Sequence, residues 1–287
     1  MTSTSAPAHA SGTFEIAGKT VHRLGFGAMR LTGRGIWGPP ADHDESIRVL
    51  RRALELGVDL IDTADSYGPY VSEDLIREAL HPYPEDLLIA TKAGLVRTGP
   101  DKWFAVGRPD YLEQEIEMSL RRLGVERIDL MQLHRPDPEV PFDDQVAVYA
   151  RAHEAGKIAG FGLSNVTVEQ IEQAGRALPV ATVQNRFNLT DRSSKDVLDY
   201  CTEHGIGFIP WAPVAAGDLA KPGGPVDEIA HATGATASQV SLAWLLAVSP
   251  VVLPIPGTSS VAHLEENVAA AGVTLTAEQV ETLTAAA

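Results

Sequence analysis

Four side chains of this 287-residue chain stand where apolar, strand-like runs give way to loops. Asp62 closes VDLID, Tyr67 follows it in DTADSYG, Lys92 ends LLIATK and His134 ends IDLMQLH. A tyrosine phenol has a pKa of about 10, too weak an acid at neutral pH by itself. A neighbouring ammonium stabilises the phenolate, so Lys92 is expected to lower that value. Asp62 would pair with Lys92 and offset its burial. His134 would hydrogen-bond at a substrate oxygen. Such a set can give a proton to a carbonyl oxygen. The hydride that completes a reduction must come from a cofactor, because side chains supply none. No metal is needed. Each residue alone has a plainer reading. Asp62 could be a turn or helix cap, Tyr67 a packed loop aromatic and His134 a satisfied core or surface group. Lys92 is harder to explain as structure, because an ammonium on an apolar strand costs desolvation unless an anion pairs with it. The chemistry therefore depends on the four meeting in space.

The elements that would bring them together repeat along the chain. A hairpin around the AGK turn leads into a strand at about Leu24–Ala28. Strand-like runs then alternate with helical patterns to the end. The helix at about Asp44–Leu56 carries Ile47, Leu50 and Leu54 at helical spacing and stops at Gly57. Further helices are expected at Glu73–Leu80, Pro109–Leu123, Phe142–Ala155, Val168–Ala177, Ser194–Glu203, and about 226–232, 238–248, 261–271 and 276–285. The strands between them are VDLID, DLLIATKAG, RIDLMQLH, IAGFGLSN, ATVQN, IGFIPWAP and VVLPIPG. Strands alternating with helices imply a parallel sheet. Eight such units, about 30 residues apart, imply an α/β fold of the (β/α)8 TIM-barrel type, here with an N-terminal β-hairpin. The rival is an open doubly wound sheet, but no G-x-G-x-x-G opens a helix after the first strand. In such a barrel the C-terminal strand ends carry the site. Residues 13–287 read as one barrel domain and residues 1–12 as a disordered tail.

Composition narrows the function. A net charge of −15 argues against a general nucleic-acid surface. One cysteine, Cys201, forms no internal disulfide and no zinc cluster, which fits a reducing, cytoplasmic setting. The start MTSTSAPAHASG lacks the basic and apolar regions of a secretory signal. No stretch approaches the ~18 apolar residues of a membrane span.

Taken together, GVDLIDTADSYG, LIATKAG, IDLMQLHRPDP, IAGFGLSN, VQNRFN and IPGTSSVAHLEENV resemble, in order, the signatures of the aldo-keto reductase superfamily. The resemblance runs from about residue 13 to the C-terminus. It implies a barrel that binds a nicotinamide cofactor without a Rossmann motif and works through Asp62, Tyr67, Lys92 and His134. It also implies that Gly27, Met29 and Asp62 border the cofactor, that Ser164, Asn165 and Gln184 hold the nicotinamide carboxamide, and that Trp211 stacks on its ring. Gly257, Thr258, Ser259 and Ser260 would cradle the adenosine phosphate at a helix N-terminus. Glu266 and Asn267 would face the adenine. The same segment also reads as an ordinary helix start capped by Ser259 or Ser260. Many family members place a Lys or Arg here for the 2′-phosphate of NADP, whereas this chain offers only His263. The expectation remains NADP(H), with NAD(H) as the alternative.

Long loops after the first and third strands carry Trp37, Trp103 and Phe104, which would line the substrate pocket or merely pack the loops down. The wording GFGAMRLTGRGIWGPP resembles the branch containing pyridoxal reductases, and aromatic walls suit an aromatic aldehyde. The expected activity is NADPH-dependent reduction of a small aldehyde or ketone, with pyridoxal to pyridoxine as the specific case. Two other classes compete. One is a nucleotide-sensing regulatory subunit of the same fold; the other is a lyase using Lys92 as a Schiff base.

Overall fold

The computed structural model describes residues 6–214 and 220–286. Seven parallel strands lie in the order β11-β10-β9-β8-β5-β4-β3. They are β3 (Phe26–Gly27), β4 (Leu60–Asp62), β5 (Leu88–Ala93), β8 (Ile128–Leu133), β9 (Ile158–Ser164), β10 (Val180–Arg186) and β11 (Gly207–Trp211). The eighth unit, VVLPIPG, is an extended segment rather than a regular strand. The Phe208 N–H donates to Val251 O and the Leu253 N–H to Phe208 O, both at 2.8 Å, while Gly25 and Gly27 donate to Pro254 O and Pro256 O at 2.9 and 3.4 Å. Pro254 and Pro256 have no N–H to return, so the barrel closes but the ladder stays incomplete. The seam is tight: a Cβ on Gly27 would lie 2.6 Å from Ile255 O, and one on Gly257 2.6 Å from Gly27 O.

The helices fall close to their expected spans: α1 (His43–Glu55), α2 (Val71–Leu80), α3 (Pro109–Leu123), α4 (Phe142–Glu154), α5 (Val168–Gly175), α6 (Lys195–His204), α7 (Pro225–Thr233), α8 (Ala237–Val248), α9 (Val261–Ala269) and α10 (Ala277–Ala285). Side-chain caps fix several starts. Asp42 accepts from Glu45 N before α1, and full capping boxes open α5, α8 and α10.

The barrel interior explains why chemistry sits at one end. The N-terminal hairpin of β1 (Thr13–Ile16) and β2 (Lys19–His22) puts Ile16 and Val21 into a cluster with Leu60, Leu88, Ala90, Leu130, Ile209 and Leu253. This hairpin is the apolar floor. Side chains two apart on a strand share a face. One step further along the inward register, Leu60 gives way to Asp62, Ala90 to Lys92 and Leu130 to Gln132. All three polar groups are buried above the floor.

Two differences from the sequence expectation stand out. The disordered tail assigned to residues 1–12 is ordered from Pro7 as a 3-10 helix, Pro7–Ser11. Ala8 is fully buried against the α1 cluster, its N–H donates to Leu56 O at 3.0 Å, and the Ser11 hydroxyl accepts from Leu24 N at 3.1 Å. Short polar composition hid this helix; residues 1–5 lie outside the described residues. The loop after β5 contains an antiparallel hairpin, β6 (Leu95–Gly99) and β7 (Lys102–Ala105), turning at Pro100 and Asp101.

Candidate active site

Asp62, Lys92 and His134 arrive at the same end of the barrel on β4, β5 and the residue after β8, and Tyr67 folds over them from the β4–α2 loop. The Lys92 ammonium donates to Asp62 Oδ1 at 2.6 Å, Thr63 O at 2.8 Å and the Tyr67 hydroxyl at 3.3 Å. The Tyr67 and His134 rings meet edge to face with centroids 5.8 Å apart. Thus the four residues read from the sequence converge. Gln132 and Gln184 both donate to Asp62 Oδ2, at 3.2 and 2.9 Å, so the carboxylate is held on both oxygens.

The electrostatics depart from expectation at Tyr67. Burial pushes its phenol upward, and that outweighs the opposing pull of Lys92, so the net shift is up rather than down. The ammonium is where the sequence places it, but the dry surroundings dominate. For Lys92, burial works downward, but the Asp62 carboxylate and the Tyr67 oxygen together outweigh it and the ammonium is held charged. Burial, with Lys92, Arg135 and Arg97 nearby, holds His134 well below its usual value, so the imidazole is neutral at neutral pH. Its Nδ1 lies 3.2 Å from the Ser66 hydroxyl.

The residues expected around a dinucleotide lie at the ends of β9, β10 and β11, on β3 and just after it, and at the start of α9 and along it. Ser164 is buried, and Asn165, at a left-handed φ of 59°, donates to His134 O at 3.2 Å and Ser164 Oγ at 2.9 Å. The Trp211 indole N–H donates to Asn165 Oδ1 at 3.1 Å, which fixes the plane of a partly exposed ring. Gln184 commits its amide nitrogen to Asp62, leaving its amide oxygen for another donor. Gly27 and Gly257 sit at the barrel seam, and Met29 packs with Tyr67 and Trp103. Before and along α9, Thr258 is buried, Ser259 and His263 are exposed, and Ser260 and Asn267 are partly buried. Ser260 occupies the N-cap position of α9, but its side chain does not cap. Instead Thr258 Oγ1 accepts from Ser260 N at 3.2 Å, and Glu45 of α1 accepts from Val261 N at 3.0 Å. Glu266 takes the Thr236 hydroxyl at 2.7 Å and so is tied to the start of α8. The set suits a nicotinamide dinucleotide: amide and hydroxyl groups beside the proton-donating cluster, an oriented indole for a planar ring, and hydroxyls at a helix start. Among the described residues no group of three or more side chains could hold a metal ion.

Of the three pocket aromatics, Trp103 is at the cluster, edge to face with Tyr67 at 6.4 Å and with His134 at 6.5 Å. Trp37 is exposed, its backbone bridging to Gly68. Phe104 is not brought to the site: next to Trp103 on β7 it takes the opposite face of the hairpin and is 52% exposed.

Sequence reading missed Gln132, Ser66, Asp65, Arg97 and Glu45. Gln132 was detectable, since it lies two residues before His134 in the inward register that also holds Lys92. Asp65 is fully buried with neither carboxylate oxygen hydrogen-bonded, and burial, reinforced by Glu73 and Glu115, holds its acid well above the usual range. No sequence pattern marks such a group.

The model of the aldo/keto reductase family matches residues 23–287. The chain belongs to that family. The reductase is 53% identical over 276 residues to an uncharacterized oxidoreductase of Schizosaccharomyces pombe, covering 96% of this chain and 90% of the relative. It is 41% identical over 280 residues to the pyridoxine 4-dehydrogenase of Escherichia coli, covering 95% and 97%, in keeping with the resemblance to the pyridoxal reductase-like branch. Among solved structures, a thermostable aldo-keto reductase crystallised with the inhibitor epalrestat superposes with a TM-score of 0.84 at 29% identity, covering 96% of this chain and 100% of that one. The reductase is accordingly an NAD(P)H-dependent oxidoreductase acting on carbonyl compounds. Among its described residues no helix is long and apolar enough to cross a membrane.

Proposed function

We propose that this reductase converts pyridoxal to pyridoxine in the cytoplasm with NADPH, Tyr67 giving the proton to the carbonyl oxygen. The observation that carries the reading is the buried chain Asp62–Lys92–Tyr67, at 2.6 and 3.3 Å. The aldehyde choice is supported by the 41% identity to a pyridoxine 4-dehydrogenase and by the Trp103 wall beside Tyr67.

The residues divide the work. Lys92 stays charged and stabilises the phenolate left when Tyr67 gives up its proton; Asp62, fixed by two glutamine amides, keeps Lys92 charged and aimed. The neutral His134 donates to the carbonyl oxygen and orients it towards Tyr67. Ser164, Asn165, Gln184 and Trp211 would hold and orient the nicotinamide, and residues 257–260 the adenosine phosphate. A dinucleotide held there would supply the hydride for the carbonyl carbon. NADP(H) is put ahead of NAD(H) because arginines approach the α9 entrance from neighbouring elements. Arg48 pairs with Glu45 there at 2.8 Å, and the Arg30 stem passes beside Gly257.

The test is a carbonyl panel that includes pyridoxal, followed by absorbance of each reduced dinucleotide. Turnover of simple aromatic aldehydes without any of pyridoxal would remove the substrate assignment. An NADPH preference below about threefold in Kd, less than ~1 kcal/mol, would reverse the cofactor order.

A further inference from the structure

Arg97 lies on β6 in the loop after β5, faces inward and is 9% exposed. Its five N–H donors are all spent on backbone carbonyls. Nε donates to Lys102 O at 2.9 Å; Nη1 donates to Ile36 O at 2.6 Å and Ser66 O at 3.0 Å; Nη2 donates to Gly35 O at 2.7 Å and Gly99 O at 3.4 Å. Three separate segments meet on this one planar fork: the loop after β3, the loop carrying Tyr67, and the β6–β7 hairpin. The guanidinium carbon also lies 3.5 Å from the Trp103 ring centroid and 5.9 Å from that of Trp37. No ion pair to a carboxylate is formed by Arg97 among the described residues.

Two of these partners touch the reacting groups. Ser66 precedes Tyr67 and its hydroxyl meets His134 Nδ1. Trp103 is edge to face with both Tyr67 and His134. Gly35 and Ile36 are both left-handed, with φ of 72° and 54°, a conformation that strains a β-branched residue unless something holds it. The residues assigned to the dinucleotide, on β9, β10, β11 and α9, take no hydrogen bond from Arg97.

We propose that Arg97 is the positioning residue of the substrate pocket: by gripping Ser66 and the Trp103 ring with one guanidinium, it sets the spacing between the Tyr67 hydroxyl, the His134 imidazole and the aromatic wall. The proposal rests on Tyr67 being the proton donor. A lysine cannot replace it, since three donors on a flexible stem do not span a five-carbonyl fork.

The test compares Arg97→Lys and Arg97→Met with the wild-type full chain, using NADPH and whichever aldehyde the wild type reduces. For both variants the aldehyde KM is expected to rise roughly fivefold or more, and kcat/KM to fall roughly twentyfold or more, with NADPH Kd within about twofold of wild type. Tryptophan emission without substrate should change as well, because the cation leaves the Trp103 face. Restoration by Arg97→Lys to within about twofold, or NADPH Kd weakening in step with kcat/KM, would overturn the proposal. If Arg97→Met does not fold, a cycle of Arg97→Lys with Trp103→Leu decides: strong non-additivity in aldehyde KM is expected, and independent effects refute the coupling. A wild type that fails to oxidise NADPH with any aldehyde sinks the reading of Tyr67, whereas wild-type turnover with indifferent variants sinks only the role of Arg97.

Discussion

Replacing Tyr67 by Phe removes one oxygen from a crowded site and little else. The ring keeps its neighbours Ile36, Ala64, Met29 and Trp103. Among the described residues the lost hydroxyl takes one hydrogen bond, from Lys92 at a long 3.3 Å, and Lys92 keeps Asp62 at 2.6 Å and Thr63 O at 2.8 Å. A net hydrogen bond of that kind contributes about 1 kcal/mol or less, so Tm is expected to move by no more than ~4 °C for a chain of this size. Removal of a positioned general acid costs about 10²- to 10⁴-fold in rate, or roughly 3–5 kcal/mol of barrier. Tyr67→Phe should therefore separate chemistry from stability. The assay is single-turnover oxidation of NADPH by aldehyde, with dinucleotide Kd from fluorescence titration and Tm from calorimetry. Turnover within about tenfold of wild type in a variant with unchanged Tm and Kd would mean that the proton comes from elsewhere.

Lys92→Met leaves Asp62 buried with two amide donors in place of an ammonium. Urea unfolding should show a loss of about 3 kcal/mol, the lower end of the cost of breaking a buried pair. With that cation gone, the main pull opposing burial on Tyr67 is lost, so the limb of alcohol oxidation that needs phenolate should move to higher pH; an unmoved limb would count against the Lys92–Tyr67 coupling. Asp65 holds its proton in the fold far above the unfolded value. The folded state therefore binds the extra proton, and stability falls as pH rises from the unfolded pKa of about 3.9 towards the raised folded one. Asp65→Asn should flatten that slope and raise Tm more at pH ~8 than at pH ~4; a parallel shift at both would refute a neutral Asp65.

Asp62, Lys92 and His134 were legible because each ends an apolar run, a place where a buried polar group demands a reason. The alternation of runs and helices made the barrel legible for the same reason. What escaped were groups whose surroundings come from distant chain. Arg97 looks like an ordinary loop cation in LVRTGPDKWF; its carbonyl partners at 35, 36 and 66 are far away in sequence. Trp103 and Phe104 are alike in composition, and only the hairpin register separates the one at the cluster from the one in solvent. The direction of the Tyr67 shift was missed because adjacency to a cation can be argued from motifs, whereas complete burial cannot. Pro254 and Pro256 were visible in VVLPIPG, and their missing donors account for the incomplete eighth strand.

The Glu45 carboxylate has a consequence for any phosphate that docks at the start of α9. Its bond to the Val261 amide, with Arg48 behind it, pulls its pKa below the ordinary carboxylate value, so it stays ionised through neutral and mildly acidic pH. An incoming dianion thus finds that doorway already tenanted by a negative charge of the protein's own. A phosphate that took the Val261 amide would have to displace Glu45 and would leave Arg48 without that partner, so its net gain would be the difference between the two occupants.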